Sequence, residues 1–546
     1  MFVTKYSNNK IKEFIKKNKF IIFLLTIFFL YHYNIAANLE FYYDDWFFVS
    51  IVNNSHNFLQ NFNILKEIYI VRPVGILYLA FLSFFKFNNI ILIYIFNLFL
   101  WVLSGIIITV VLNKNLFFFS RYFFLFFYLL PSISNSFIYS PIIQGLSTIA
   151  VFLWSISLYF VSKKNGMLLS ILFIGLSLLA YELTVALIPL NILIYIINNN
   201  LLNKNINKKI IFLIKLFIIS LFFLISFYVL QNILSSFSSA KIFKYGFSED
   251  DFLDNVIKYF FHPLILVFVQ IPKLWIDGFI SFFSNITFIK FITLIVINII
   301  LIFYFFKKKQ NNKKISFKYF FLYNLTLIII FFGIFLVYLV ATSVPDLKGY
   351  YNRGLLGLHI LISLFILQIL YFKNFIKIIF CLLGVFILNL NLISFYEQQE
   401  IHINNSLTRK DIINKTIEIS KGENLIFSSF ETYSKNKYNF IPVFSDEVYD
   451  YSNSISAKTN NSLRAHRIYN NTECRKILNF DNNTFSGFVP SRNRKTKEDQ
   501  KINFLELNEN VKIDQNILLY DYQENKLVKG TTSELQSLLK KVFNCN

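Results

Sequence analysis

IILIYIFNLFLWVLSGIIITVVL, residues 90–112, contains no charged side chain, and Asn113-Lys114-Asn115 closes it. A helix needs about 20 mostly apolar residues to cross a hydrocarbon core of roughly 30 Å, and this run has that length. Working outward in both directions, comparable runs recur at 20–37, 142–161, 210–234, 286–306, 320–342 and 375–395. No soluble core needs so many fully apolar segments. The pattern predicts a polytopic α-helical membrane protein.

Composition agrees. Of the 546 residues, 55% are hydrophobic and 15% charged, against about 25% charged in soluble domains. The 69 Phe, with abundant Ile, Asn and Lys, fit an AT-rich coding sequence, so counts of Phe or Asn carry little meaning alone. A net charge of +22 suggests a nucleic-acid partner at first sight. The basic residues sit largely in short loops between apolar runs, however. That is the positive-inside pattern, and no nucleic acid is expected. The run at 20–37 follows a basic N-terminus but lacks a small-residue cleavage site, which favours a retained first helix over a signal peptide.

Basic clusters set the expected topology. Lys5, Lys10, Lys12, Lys16, Lys17 and Lys19 precede the first run. Others lie at Lys163-Lys164, at Lys204, Lys208 and Lys209, at 307–309 with Lys313-Lys314, and at Lys373 with Lys377. Placing all of them inside predicts about eleven spans, N-terminus in and C-terminus out. Residues 167–197 then form two short helices whose outer tip is Tyr181-Glu182. Lys114 falls inside, and residues 38–89 form a large first external loop. Within it, 73–85 is too short to span and is expected as an interfacial or re-entrant helix. The alternative is that it spans and 132–141 lies inside. A second external segment, 235–284, contains His262-Pro263, Pro272 and Trp275 and suits helices lying at the interface.

The apolar runs stop after residue 395. Residues 396–546 are long enough for one exported soluble domain. Strand-like runs at 424–428, 440–444 and 516–520, and helix-like ones at 409–421 and 533–543, predict an α/β fold. The domain shows no Gly-rich phosphate loop, no metal-spaced His/Cys set and no nucleophile elbow. Cys381 lies mid-span as packing. Cys474 and Cys545 share the exported domain, where either a disulfide or two free thiols is chemically allowed.

The chemistry-bearing residues cluster on the predicted outer side. FYYDDWF, residues 41–47, places Asp44 and Asp45 between Tyr43 and Trp46 just beyond the first span. An interfacial, apolar setting tolerates a carboxylate and makes it a stronger base. The simpler alternative is a helix end at the water boundary within an aromatic belt. Arg72-Pro73 opens the short helix, and PDLKGYYNR, residues 345–353, joins two spans. Arg72, Lys348 and Arg353 are candidate phosphate ligands, with Arg353 preceding a helix start. Tyr43, Trp46, Tyr181, Glu182, His262, Tyr350 and Tyr351 are candidate substrate contacts. Singly, each fits an interfacial anchor. Together they suit sugar transfer from a polyprenyl-phosphate donor. There phosphate is already a good leaving group, one carboxylate takes the acceptor's proton, and cations hold the departing phosphate. Adjacent Asp44 and Asp45 diverge on a helix, so one of them is the base.

This layout resembles the GT-C superfamily of integral membrane glycosyltransferases: an acidic pair after the first span, a large first external loop, many spans and an exported C-terminal domain. Tyr42-Tyr43-Asp44-Asp45-Trp46 followed by Arg72-Pro73 most resembles bacterial glucosyltransferases that decorate the O-antigen of lipopolysaccharide. The resemblance covers about residues 20–395. It implies a bacterial inner-membrane protein with a periplasmic site, a polyprenyl-phosphate sugar donor and a glycan or lipid-linked acceptor in the cell envelope. It also implies Asp44 as base with Asp45 second, and Arg353 as phosphate ligand. Residues 132–141 hold no Asp-x-Asp or Asp-x-Glu, a departure from the metal-dependent oligosaccharyltransferases, so no cofactor is expected and a divalent metal is left open. Two other classes compete. A lipid-glycan flippase or transporter would show mid-membrane charges and repeats, but Arg121, Lys215 and Lys290 sit near helix ends, within snorkelling reach. A scaffold with a soluble recognition domain would leave the outer acids and cations apart.

Overall fold

The structure, a computed structural model, describes residues 35–41, 45–46, 48–49, 58–69, 72–85, 90–115, 121–134, 140–143, 145–199, 261–262, 264–288, 290–292, 294–296, 298–299, 317–340, 355–366 and 374–420, seven later strands, and isolated positions 25, 28, 29, 32, 201, 347, 454, 455, 458 and 459. The chain forms two compact units. The first comprises Met1–Leu39, Asn57–Phe247 and Asp251–Ile403; the second comprises Glu40–His56, Ser248–Asp250 and Asn404–Asn546.

The first unit is helical where described. Its helices are α1 (Phe58–Tyr69), α2 (Pro73–Leu82), α3 (Ile90–Asn115), α4 (Arg121–Leu129), α5 (Gly145–Val161), α6 (Met167–Ala180), α7 (Ile188–Asn198), α8 (Ile271–Ser284), α9 (Phe317–Val340), α10 (Leu356–Ile366) and the start of α11 (Asn374–Ser420). Among the described residues, three helices can cross a membrane by length and composition: Ile90–Asn115, Leu266–Ser284 and Tyr319–Val337. Helix α9 shows why. Tyr323, Leu327, Ile330 and Ile334 are buried along one side, while Phe321, Leu325, Ile328, Ile329, Phe332 and Leu336 are exposed along another. An unbroken exposed apolar stripe is costly in water and natural against lipid. Some polar groups inside the unit pair between helices: Trp154 Nε1 donates to Asn191 Oδ1 at 2.9 Å, and Asn191 Nδ2 to Ser157 Oγ at 2.8 Å. Such pairing between helices compensates for the missing hydrophobic drive within a bilayer.

Helices α5 and α6 form a hairpin through Ser162–Gly166. A Cβ at Gly166 would lie 2.0 Å from the Phe160 carbonyl oxygen, so only glycine fits the turn. The turn carries Lys163 and Lys164, and Lys114 at the end of α3 donates to the Ser162 carbonyl at 3.3 Å. Asn198, ending α7, reaches the Val161 carbonyl at 3.4 Å. Lys114, Lys163 and Lys164 therefore share one end of this bundle. Tyr181 lies at the other end of α6, about 20 Å away for fourteen residues at 1.5 Å each.

Two segments differ from the sequence reading. Residues 266–284, expected within an external loop of interfacial helices, form a helix long and apolar enough to cross. Pro272 does not break it because the preceding turn, Leu266–Gln270, is a π-helix whose wider turn displaces the carbonyl that the ring would strike. Its inner face then packs closely, and a Cβ on Gly278 would sit 2.8 Å from Ser394 Cα. Likewise 375–395 and, of the expected separate helix 409–421, residues 409–420 belong to the single 47-residue α11. Between Asn374 and Ser420 there is no Pro and only Gly384, so nothing stops the helix at the apolar boundary. At about 70 Å it far exceeds a hydrocarbon core. The stretch at 73–85 is α2 plus a 3₁₀ turn at Ser83–Phe85 and is too short to cross comfortably.

In the second unit the backbone forms β1 (Leu425–Ser429), β2 (Arg464–Arg467), β3 (Asn479–Asp481), β4 (Thr484–Val489), β5 (Gln500–Glu506), β6 (Ile517–Asp521) and β7 (Lys526–Gly530). One sheet has the order β2-β1-β6-β7, with β1 parallel to both β2 and β6 and a β6–β7 antiparallel pair. The other is the antiparallel β3-β4-β5. Residues 440–444 and 533–543, and Cys474 and Cys545, lie outside the described residues.

Candidate active site

Arg72, Tyr181 and Glu182 come together in the first unit. Pro73 starts α2, where its missing N–H costs nothing, and keeps Arg72 out of the helical region before it (φ −126°, ψ 68°). The Arg72 carbonyl accepts the Ile76 N–H at 2.9 Å. At Gly75 a Cβ would lie 3.3 Å from the Ala180 carbonyl and 3.1 Å from Leu146 Cδ2, so the helix start sits hard against the end of α6. Beneath it, Tyr78 donates to Asn97, whose amide donates to the Pro141 carbonyl, bracing α2 against α3.

Helix α6 ends at Tyr181, which is extended (φ −161°, ψ 125°), and the 3₁₀ stretch Glu182–Leu187 follows. Ser177 Oγ, bonded to the Ala150 carbonyl and to Thr184 Oγ1, each at 2.8 Å, pins this break. Glu182 accepts two parallel bonds from Arg72: Nε to Oε2 at 3.0 Å and Nη2 to Oε1 at 2.5 Å. The guanidinium carbon lies 4.7 Å from the Tyr181 ring centroid. A two-bond fork plus a ring face fixes the plane of the cation. Both side chains are about one-quarter exposed, 26% and 24%, so the pair adds only about 1 kcal/mol to stability. Its main effect is orientation. The guanidinium stands at the positive end of α2, a setting suited to an anion.

Asp45 and Trp46 belong to the second unit. Asp45 is completely buried and Trp46 nearly so. The Phe41 and Trp46 rings meet edge to face at 5.4 Å. Lys458 Nζ lies 3.1 Å from Glu40 Oε1 and 5.7 Å from the Trp46 ring centroid. Arg409 Nη1 donates to the Phe41 carbonyl at 2.6 Å, and the Glu40 N–H donates to Ser406 Oγ at 2.6 Å. Residues from the first loop and from the C-terminal region therefore share one folded unit.

His262 is half-buried in the helical stretch before the π turn. Tyr43, Asp44, Lys348, Tyr350, Tyr351 and Arg353 lie outside the described residues. No cluster of three or more His, Cys, Asp or Glu suited to a metal occurs among the described residues.

A third cluster escaped the sequence reading. Lys290, treated there as a snorkelling cation, lies 2.8 Å from Glu400 Oε2 and 3.8 Å from Glu397 Oε1. It also stands 4.9 Å from the Tyr396 ring centroid. Ser281 donates to Glu397 at 2.8 Å, and Tyr396 to Glu400 at 2.8 Å. Burial raises the Glu397 carboxyl above its usual range, opposed by the Ser281 bond and by Lys290. Burial, reinforced by Glu400, raises the Tyr396 phenol. The signal was present: Glu397 and Glu400 lie three apart on α11 just past the apolar run, with one cation near a helix end to meet them.

No family model, no curated protein and no solved structure matches this chain.

Proposed function

We propose that this chain is a GT-C-like membrane glycosyltransferase of the bacterial inner membrane, with about eleven spans, N-terminus in, and an exported C-terminal α/β domain. It moves a monosaccharide from a polyprenyl-phosphate donor to a glycan or lipid-linked acceptor on the periplasmic side. The observation that carries this reading is the Arg72–Tyr181–Glu182 assembly, an oriented cation at a helix N-terminus built from residues 110 positions apart. It stands at the end of α6 opposite the basic turn, as an outward-facing site requires. An odd number of spans also fits the shared unit of the first loop and the tail: an even number of crossings must separate residues 41 and 404. If α8 crosses as well, one other segment must stay on one side.

In the reaction an acceptor hydroxyl attacks the anomeric carbon, and its proton passes to the carboxylate of the first loop. The bond between that carbon and the phosphate oxygen breaks, and polyprenyl phosphate leaves with the electron pair. Arg72 meets the growing phosphate charge, with Glu182 and Tyr181 fixing its plane. Lys348 and Arg353 are further candidate cations. The burial of Asp45 favours Asp44 as the base, with Asp45 holding the loop. The test is sugar transfer in isolated membranes supplied with donor and acceptor. Wild-type rates in both Asp44→Asn and Asp45→Asn would end the proposal.

A further inference from the structure

Helix α11 carries buried polar side chains well beyond the apolar run. Asn405, Ser406 and Arg409 are each at most 2% exposed, and Arg409 neighbours both others, four positions from Asn405 and three from Ser406. A solvated helix exposes such residues. Here Ser406 and Arg409 are occupied by the backbone of the first loop, through the Glu40 N–H and the Phe41 carbonyl. Lys458 adds the ion pair with Glu40 and stands over Trp46. These contacts act immediately on both sides of residues 42–45, and Phe48 and Val49 beyond them are buried. The backbone is thus held at Glu40 and Phe41, and the ring at Trp46 lies against Lys458.

We propose that Ser406, Arg409 and Lys458 are positioning residues for the first loop, so that the C-terminal region holds that loop in place rather than being an appended module. The proposal rests on the glycosyltransferase reading for its consequence, but the docking can be measured without it. The full-length chain, with Cys381, Cys474 and Cys545 changed to Ser and Val49→Cys added, is labelled in membranes with a maleimide while transfer is assayed in parallel. In this parent Val49→Cys reacts slowly, because the position is buried. Glu40→Lys sets two cations against each other and raises labelling about tenfold. It also lowers kcat about 100-fold at nearly constant KM, because the base is misplaced while the donor site is intact. The double exchange Glu40→Lys with Lys458→Glu restores both. Arg409→Met behaves like Glu40→Lys, and Arg409→Lys, which keeps a donor for the Phe41 carbonyl, recovers part of the loss. Unchanged labelling in Glu40→Lys, or no rescue by the exchange, overturns the proposal. If labelling follows the expected pattern but the parent transfers no sugar, the docking stands and the transferase reading fails.

Discussion

The two polar assemblies that bear on function are built differently. In the first unit, Arg72 meets Tyr181 and Glu182 where two helices begin and end, and local rules set each partner: a proline at a helix start, an extended residue at a helix break. In the second unit, Glu40, Phe41 and Trp46 meet Ser406, Arg409 and Lys458 across more than 360 positions, and no local rule names the partners. The first assembly is partly open and suited to a ligand. The second is mostly closed and suited to holding a loop. If both serve one reaction, they should fail differently when disturbed.

The largest effect should come from the loop that the second assembly holds. Asp44→Asn should lower kcat about 10²–10⁴-fold, the range for loss of a general base, with little change in KM, as read in a membrane transfer assay. Next comes the first assembly. Arg72→Lys keeps the charge but loses the fork to Glu182, and kcat/KM should fall about tenfold or more. Glu182→Gln should lower it less, since the ring of Tyr181 still holds the guanidinium. A variant order in which Glu182→Gln exceeds Asp44→Asn would reverse the roles given to the two assemblies.

Stability gives finer contrasts. Gly278→Leu would push a side chain into Ser394 and should destabilise the first unit by about 1–3 kcal/mol, seen as a lower midpoint of thermal unfolding in detergent. The smallest effect concerns Glu397. Its folded-state carboxyl titrates above the ordinary value, so folding binds a proton more tightly than the unfolded chain does. Stability therefore falls as pH rises from the ordinary carboxyl range through the raised value, and it is regained on acidification. Glu397→Gln should flatten that part of the stability–pH profile while leaving the second unit's loop labelling unchanged.

The same contrast explains what could be seen in the sequence. Apolar runs, basic turns and the Tyr181-Glu182 tip depend on neighbours in the chain, whereas the Arg72–Glu182 pair that the structure forms was not read from the sequence. Residues 266–284 read as interfacial helices from His262-Pro263, Pro272 and Trp275, and the π turn before Pro272 has no sequence mark. The unbroken α11 was missed because a change from apolar to polar side chains was taken for a change of fold. Polar residues continue a helix readily when no Gly or Pro intervenes. Arg409 and Lys458 carried no signal, since a cation that binds a distant carbonyl or carboxylate looks like any other on a charged helix.

The most direct measurement follows the lipid product. Purified protein in nanodiscs, given a polyprenyl-phosphate hexose and an acceptor glycan, should release one equivalent of polyprenyl phosphate per sugar transferred, and the double variant Asp44→Asn, Asp45→Asn should release almost none. Wild-type protein that binds the lipid but leaves the sugar–phosphate bond intact with every acceptor offered would contradict the account.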